Sequence, residues 1–154
     1  MRNFLTILSI FILFSGCKDN VDKQYSELNE LISELESHFD NDYNDADIDN
    51  LGNFKFDMGS ASSGRVSGKL TEVFISMEIL PERPGCADIC PEMAVIHFKC
   101  DAEKKCVTDP ADPQLYGYHN EGVINFENLE NGQKVYSLLN KIKNKLVSLH
   151  STTP

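Results

Sequence analysis

The chain of 154 residues carries 24 acidic side chains against 14 lysines and arginines, which gives a formal net charge of -10 at pH 7. We expect no nucleic-acid partner, because affinity for phosphate backbones comes largely from lysine and arginine. The net negative charge also disfavours electrostatic attachment of the chain to anionic lipid. The length suits one domain with a modest hydrophobic core.

The first apolar run of the chain ends at a cysteine. Residues 4–14 are almost wholly apolar and follow a short, positively charged start. Such a run is too short to cross a bilayer as a helix, which takes about 20 residues, and it is typical of a secretory signal peptide. The small residues Ser15 and Gly16 come next, directly before Cys17. We therefore expect residues 1–16 to be a signal peptide that is cleaved before Cys17.

Residues 13–17 read Leu-Phe-Ser-Gly-Cys, which resembles a bacterial lipobox with Phe14 in place of the usual leucine. The resemblance implies that Cys17 carries diacylglyceryl and N-acyl chains, such as palmitate, and becomes the mature N-terminus. Two or more acyl chains hold a protein stably at a lipid bilayer, so the bilayer is the first expected partner. Lys18 and Asp19 resemble the export signal of surface lipoproteins in Bacteroidota-type bacteria. This implies an outer-membrane location with the domain exposed at the cell surface.

A helix is predicted from about Asp22 to Phe39, because apolar residues recur at three- and four-residue steps along it. The residues before this helix are polar. We expect residues 17–23 to form a lipidated tether and residues 24–154 to form a single domain.

The acidic segment from Asp40 to Asn50 is predicted to be a solvated loop. Calcium binding is the alternative, but an EF-hand starting at Asp40 has Asp45 where the turn needs glycine and Leu51 where a bidentate glutamate is needed. A start at Asp45 fails as well, since Phe56 then takes the last ligand position. We expect no metal site in the protein, although the sequence leaves calcium binding by this loop open.

Alternating apolar and polar residues predict about five strands after the acidic segment. The predicted strands are Asn53–Met58, a long strand from about Arg65 to Leu80 that Gly68 bends or divides, Met93–Cys100 with a return strand from Cys106, a short strand at Tyr116–Tyr118, and Gly122–Phe126.

A long amphipathic helix is predicted at the C-terminal end, with Asn128 as its N-cap. Residues 133–154 hold four lysines and no acid, whereas residues 19–50 hold eleven acids and one lysine. If the two helices are neighbours, this asymmetry favours their pairing. The predicted fold class is α+β, with an N-terminal helix, a mainly antiparallel sheet of about five strands and the long C-terminal helix packed on the sheet.

Four cysteines remain beyond Cys17, an even number in an exported chain, which predicts two disulfides. We favour the local pairs, because Cys86 and Cys90 share a tight loop and Cys100 and Cys106 flank a predicted hairpin turn. The crossed arrangement, which staples the loop to the hairpin, is the alternative. A zinc tetrathiolate is disfavoured, since the spacings are not those of paired C-x₂-C knuckles.

No catalytic signature emerges from the sequence. The four histidines show no metal-ligand spacing, and His97 falls on the strand face opposite Ile96 and Phe98. The turn around Ala61 is not a G-x-S-x-G nucleophile elbow, because Ala61 stands where the serine is required. We therefore expect no catalytic residue, no cofactor and no enzymatic activity.

The function we predict is that of a non-catalytic binding or interaction module, whose partner is an unspecified protein or small ligand. This function predicts exposed apolar or aromatic residues near the Cys86–Cys90 loop and around Tyr116–Tyr118. The alternative is a periplasm-facing accessory or inhibitor lipoprotein of an envelope complex.

Overall fold

The structure, a computed structural model, describes seven stretches of the chain. They are residues 22–39, 45–58, 65–84, 89–90, 92–101, 104–108 and 117–151. The predicted signal peptide, the lipidation site Cys17 and most of the predicted tether therefore lie outside the described residues.

Two helices frame the strands of the described residues. Helix α1 covers residues 22–36 and ends in a turn at residues 37–39. The strands that follow are β1 (Asp45–Ile48), β2 (Asn53–Asp57), β3 (Arg65–Lys69), β4 (Val73–Leu80), β5 (Arg83–Pro84), β6 (Ile89–Cys90), β7 (Met93–Cys100), β8 (Val107–Thr108), β9 (Tyr118–His119) and β10 (Glu121–Phe126). Helix α2 covers Leu129–Ser151.

All the strand pairs of these residues are antiparallel. The first sheet has the order β1-β2-β3-β8-β9, the second has the order β10-β7-β4, and β5 and β6 form a short ribbon. The α+β class with an N-terminal helix, antiparallel strands and a long C-terminal helix is confirmed. The strands are, however, divided between two sheets, where the sequence predicted one sheet of about five strands.

Five phenylalanine rings join the two sheets and the end of α1. Phe98 of β7 stacks on Phe54 of β2 with 4.9 Å between ring centroids and lies 5.6 Å from Phe56. Phe39 stacks on Phe56 at 5.3 Å and meets Phe126 of β10 edge-on at 5.6 Å. All five rings are buried. We call them the aromatic cluster; it closes the inner faces of the two sheets on each other.

Helix α2 packs against the inner face of the second sheet. Its N-cap is Asn128, as predicted, since Asn128 Oδ1 accepts a hydrogen bond from the Asn131 N–H at 2.9 Å. The predicted apolar stripe is buried, namely Val135, Leu138, Leu139, Ile142, Leu146 and Leu149. Among the described residues, no helix has the length and apolar character required to cross a membrane.

The two helices are neighbours, and polar contacts join them at both ends of the interface. Lys145 on α2 makes an ion pair with Glu27 on α1. Near the end of α1, His38 Nδ1 lies 2.7 Å from Asn131 Oδ1, and Asn131 Nδ2 donates to the His38 carbonyl at 3.3 Å. The expected pairing of the acidic N-terminal region with the lysine-rich C-terminal helix is therefore confirmed at the contact between Lys145 and Glu27.

Part of the acidic segment predicted as a loop is a strand. Residues Asp45–Ile48 pair with β2, and Ile48 is buried while Asp45 and Asp47 are exposed. The loop prediction was wrong for these residues because the two-residue alternation of apolar and acidic side chains outweighs the high acid content once β2 supplies a partner strand. Residues 40–44 of the segment lie outside the described residues.

Asp49 forms the turn that connects β1 to β2. Its Oδ1 accepts hydrogen bonds from the N–H groups of Leu51 and Asn53, both at 2.9 Å. Burial raises the pKa of Asp49, but the hydrogen bonds from Asn53, Leu51 and Gly52 outweigh it and hold the pKa below its ordinary value. This carboxylate of the acidic segment therefore has a structural role.

The predicted long strand from Arg65 to Leu80 is two strands that belong to different sheets. A 3₁₀ turn at Leu70–Glu72 separates β3 from β4. Leu70 is fully buried, and its N–H donates to the Gly52 carbonyl at 2.8 Å. This anchor fixes the crossing between the sheets, so the division falls at Leu70, whereas Gly68 remains within β3.

The closest approach between α2 and the second sheet is at Gly132, and it yields a test of this packing. A Cβ atom at Gly132 would lie 2.6 Å from the Ala94 Cβ and 3.2 Å from the Phe126 Cβ. Alanine in a helix is favoured over glycine by about 1 kcal/mol. We nevertheless expect Gly132→Ala to lower the free energy of unfolding, by about 1–3 kcal/mol, because the added methyl group overpacks the interface.

Urea denaturation measures this change, and Asn144→Ala on the exposed side of α2 is the matched control, expected to be neutral or slightly stabilising. Adding Ala94→Gly to Gly132→Ala removes the opposing methyl group and should restore part of the loss. A stabilised Gly132→Ala variant would contradict the packing described.

Candidate functional site

A disulfide links the end of β7 to the start of β8. The sulfurs of Cys100 and Cys106 are bonded at 2.08 Å, and their Cα atoms are 5.8 Å apart. This pair was favoured from the sequence, and it leaves neither sulfur for a crossed disulfide or a zinc thiolate. The reason given for it was wrong in part, because β8 pairs with β3 and β9 and does not form a hairpin with β7. Cys86 and the side chain of Cys90 lie outside the described part of the chain.

The second sheet has one face that packs on the core and one face that is directed away from it. Along each strand, side chains directed away from the core alternate with side chains directed into it. We call this surface the outer face; it is formed by Phe74, Ser76, Glu78 and Leu80 of β4, Met93, Val95, His97 and Lys99 of β7, and Glu121, Val123 and Asn125 of β10.

His97 lies at the centre of the outer face between two carboxylates. Its Nδ1 is 2.7 Å from Glu121 Oε1 on β10, and its Nε2 is 3.3 Å from Glu78 Oε1 on β4. Lys99 Nζ lies 3.4 Å from the same Glu121 oxygen. The side chain of His97 is only 17 % exposed, so its two contacts connect all three strands of the sheet across their outer face.

The electrostatics of this network favour ionised Glu121. The hydrogen bond with His97 lowers the pKa of Glu121, burial acts in the opposite direction, and Lys99 lowers the pKa further. Both ring nitrogens of His97 face a carboxylate oxygen, one from each neighbouring strand.

The chemistry of this cluster differs from that of a hydrolase triad. Ser76 is the cross-strand neighbour of His97, so that serine, histidine and carboxylate stand side by side. A general base needs a free ring nitrogen directed at the hydroxyl, but His97 Nε2 is directed at Glu78. The geometry gives His97 a structural role in joining strands.

Phe74 is the side chain of the outer face that packing does not explain. Six phenylalanines follow the predicted signal peptide, and five of them form the aromatic cluster. Phe74 is instead 67 % exposed. Burying an aromatic ring is strongly favourable, since each one removes about 150–250 Å² from water. An exposed ring on a sheet held by His97 is therefore a candidate contact point.

A shallow depression of about 310 Å³ adjoins Phe74 at the start of β4. Its charged lining consists of Lys99, Lys104 and Lys143 with Glu72 and Asp101. Lys143 Nζ donates to the Val73 carbonyl at 2.6 Å. In a chain with a net charge of -10, this end of β4 is locally basic, and we call it the basic end.

A second depression lies between α1 and β1 and is acidic. Glu36, Asp45 and Asp47 line it together with Phe39. Burial raises the pKa of Glu36, and Asp47 and Asp45 raise it further. The described residues contain no group of three or more His, Cys, Asp or Glu side chains that could hold a metal ion, and the rest of the predicted calcium loop, residues 40–44, lies outside them.

The outer face was only partly visible in the sequence. The position of His97 opposite Ile96 and Phe98 is confirmed. Tyr118, in a region predicted to expose aromatic residues, is 58 % exposed, while Tyr116 lies outside the described residues. Phe74 was missed, although an aromatic residue on the polar side of an alternating strand was the available signal.

No family model, curated protein or solved structure matches the chain. The resemblance to a lipobox in residues 13–17 and the geometry of the outer face are therefore the two sources of functional information. They are independent of each other, since they involve different residues of the chain.

The network at His97 predicts a pH-dependent contribution to stability. Folding lowers the pKa of Glu121, so its contribution is complete above the pKa of unfolded glutamate, about 4.3, and is lost as the pH falls through the folded value. Glu121→Gln should lower the free energy of unfolding at pH 7 by up to about 1 kcal/mol, the range of exposed ion pairs. The difference from the wild type should be smaller at pH 3 than at pH 7.

Urea denaturation at pH 7 and pH 3 measures this difference. Glu34→Gln, which changes an exposed carboxylate on α1, is the matched control and should change little at either pH. A Glu121→Gln effect of equal size at both pH values would contradict a role for the ionised carboxylate.

Proposed function

We propose that this protein is a lipid-anchored, non-catalytic binding module of the bacterial outer membrane, displayed at the cell surface. Acyl chains on Cys17 hold it at the bilayer, and residues 17–23 separate the domain from the lipid. The outer face of the second sheet is the contact surface. The observation that supports this assignment is the exposure of Phe74 on a sheet whose other phenylalanines are buried.

An aromatic ring left in water forgoes the favourable burial of its apolar surface. Contact surfaces of proteins are enriched in aromatic residues, which supply large apolar area with few rotatable bonds. On the same face, Lys99 is the cross-strand neighbour of Phe74, and Ser76 is the next side chain along β4. An apolar anchor with polar neighbours is an arrangement that gives a contact both affinity and specificity.

Rigidity of the surface supports the same function. Val95 is buried at the centre of the outer face, and His97 connects β7 to both neighbouring strands. A surface that does not need to be ordered on binding loses less conformational entropy. The outer face is therefore suited to recognition without a preceding rearrangement.

The acyl anchor supplies the membrane affinity that the acidic domain does not have by itself. Cleavage before Cys17 removes Arg2 and leaves a mature net charge of -11, with 13 lysines and arginines against 24 acids. Such a chain is repelled by anionic headgroups. Stable membrane attachment then requires acyl chains, and the lipobox resemblance provides the residue that carries them.

Protease digestion of intact cells, followed by detection of the protein, tests the location and the anchor together. We expect loss of the full-length protein from unbroken cells, while a periplasmic marker in the same sample stays intact. A Cys17→Ser variant should leave the membrane fraction, because no acyl chain can be attached. An unanchored wild type would contradict the lipoprotein assignment.

Full protection of the wild type in unbroken cells, with digestion only after lysis, would overturn the surface location. That result favours the alternative, a periplasm-facing accessory or inhibitor lipoprotein.

A further inference from the structure

Strand β4 forms an open edge of the second sheet. It pairs with β7 over its whole length, from Val73 opposite Cys100 to Leu80 opposite Met93. On its other side, no strand of the described residues pairs with it. An unpaired edge presents a row of N–H and C=O groups that can add another strand.

The other sheet edges of the described residues are protected in the usual ways, and β4 is not. β1 has four residues with two exposed aspartates, and β9 has two residues. β10 lies against β3 and β8 of the first sheet, with Gly122 packed closely on Val66. β4 has eight residues, Val-Phe-Ile-Ser-Met-Glu-Ile-Leu, with a single charge. Short length and charge are the devices that prevent edge pairing, and β4 uses neither fully.

Two hydrogen bonds show which backbone groups of β4 are directed to the open edge. Lys143 Nζ reaches the Val73 carbonyl, so this carbonyl is directed away from β7. The N–H of Cys100, opposite Val73, donates to Asn120 and is directed away from β4. Because ladder bonds alternate along an antiparallel pair, the odd-numbered residues Ile75, Met77 and Ile79 also direct their N–H and C=O groups to the open edge.

Both ends of this row are closed. Lys143 occupies the carbonyl of Val73, and Pro81, which follows β4, has no N–H to donate. The open row therefore consists of three residues centred on Met77. A second β4 strand in antiparallel orientation, with Met77 opposite Met77, places each Ile75 opposite Ile79 of the second copy and pairs the whole row.

The same register gives Phe74 a partner. On the outer face, Phe74 then lies opposite Leu80 of the second copy, and Ser76 lies opposite Glu78 of the second copy. Leu80 is partly buried in the monomer, so each copy offers an exposed ring and an accessible aliphatic side chain. Aromatic and aliphatic cross-strand pairs contribute about 0.2–1 kcal/mol each.

Charge complementarity supports an antiparallel arrangement of two identical strands. The basic end, near Val73, has three lysines with two acids. The other end of β4 adjoins the exposed Glu82 and Glu92, with one cation, Arg83, next in the sequence. Antiparallel pairing sets the basic end of each copy beside the acidic end of the other, which favours the correct orientation and steers association.

We infer that two copies of this chain associate through the open edge of β4 around a two-fold axis at Met77, forming one continuous six-stranded sheet. The interface is isologous, so it closes at two copies and does not propagate into a fibre. The inference extends the proposed function, since it names a second copy as the occupant of the Phe74 end of the outer face. It does not depend on which side of the membrane the protein faces.

Photo-crosslinking of the full, anchored protein in cells tests this inference. A benzophenone analogue of phenylalanine replaces Phe74, and two copies with different tags are expressed together. We expect a crosslinked product that carries both tags. The same analogue in place of Tyr118, which is exposed on β9 of the first sheet, is the positional control and should give no two-tag product.

A matched pair of lysine variants tests the edge itself. Ile79 on β4 is 43 % exposed and Val147 on α2 is 49 % exposed. Ile79→Lys places a charge within the paired edge and should abolish the two-tag product from position 74. Val147→Lys adds the same charge elsewhere and should leave the product unchanged.

The remaining outcomes separate the inference from the proposed function. A product of position 74 with a different protein overturns self-association and leaves the proposed binding function in place. If position 74 gives no product at all while the protein remains anchored and exposed, both the inference and the use of Phe74 as a contact point are overturned. Self-association that survives Ile79→Lys overturns the edge as its site.

Discussion

The contact of Phe98 with Phe54 and Phe56 is the interaction on which the rest of the structure depends. It joins β7 of the second sheet to β2 of the first, and Phe39 and Phe126 extend the same cluster to α1 and β10. Truncating a buried phenylalanine costs about 3–5 kcal/mol, against a total stability of about 5–15 kcal/mol for an ordinary domain. A single ring of this cluster therefore decides whether the two sheets remain packed against each other.

Because the aromatic cluster buries the inner faces of both sheets, the outer face and the sheet edges remain accessible among the surfaces of the described residues. The network around His97 holds the three strands of the outer face together, and the disulfide of Cys100 and Cys106 ties the end of β7 to the first sheet. Phe74 lies on this rigid sheet and is exposed, whereas the five phenylalanines of the aromatic cluster are buried. The surface, the open edge of β4 and the basic end all meet at that residue, which is why we assign recognition to this part of the molecule.

Patterns of residues close in sequence predicted most helices and strands correctly. They did not predict which strands pair with each other across the chain. Alternation gave the bounds of Met93–Cys100, and the N-cap at Asn128 gave the start of α2, because both depend on residues close in sequence. The division of Arg65–Leu80 between two sheets depends on Leu70 reaching Gly52, a contact that no local pattern encodes. The carboxylates around His97 come from two other strands. Their contact with His97 depends on the register of the sheet, which the spacing of these residues in the sequence does not predict.

The facing of the two sheets is tested most directly by a nuclear Overhauser experiment on the phenylalanine rings of the folded protein in solution. We expect cross-peaks between the ring protons of Phe98 and those of Phe54 and Phe56, and between Phe39 and Phe126. The ring of Phe74 should show no cross-peak to any of these five. Cross-peaks that place Phe74 within the cluster, or the absence of contact between Phe98 and Phe54, would contradict the facing of the two sheets and the exposure of the proposed contact surface.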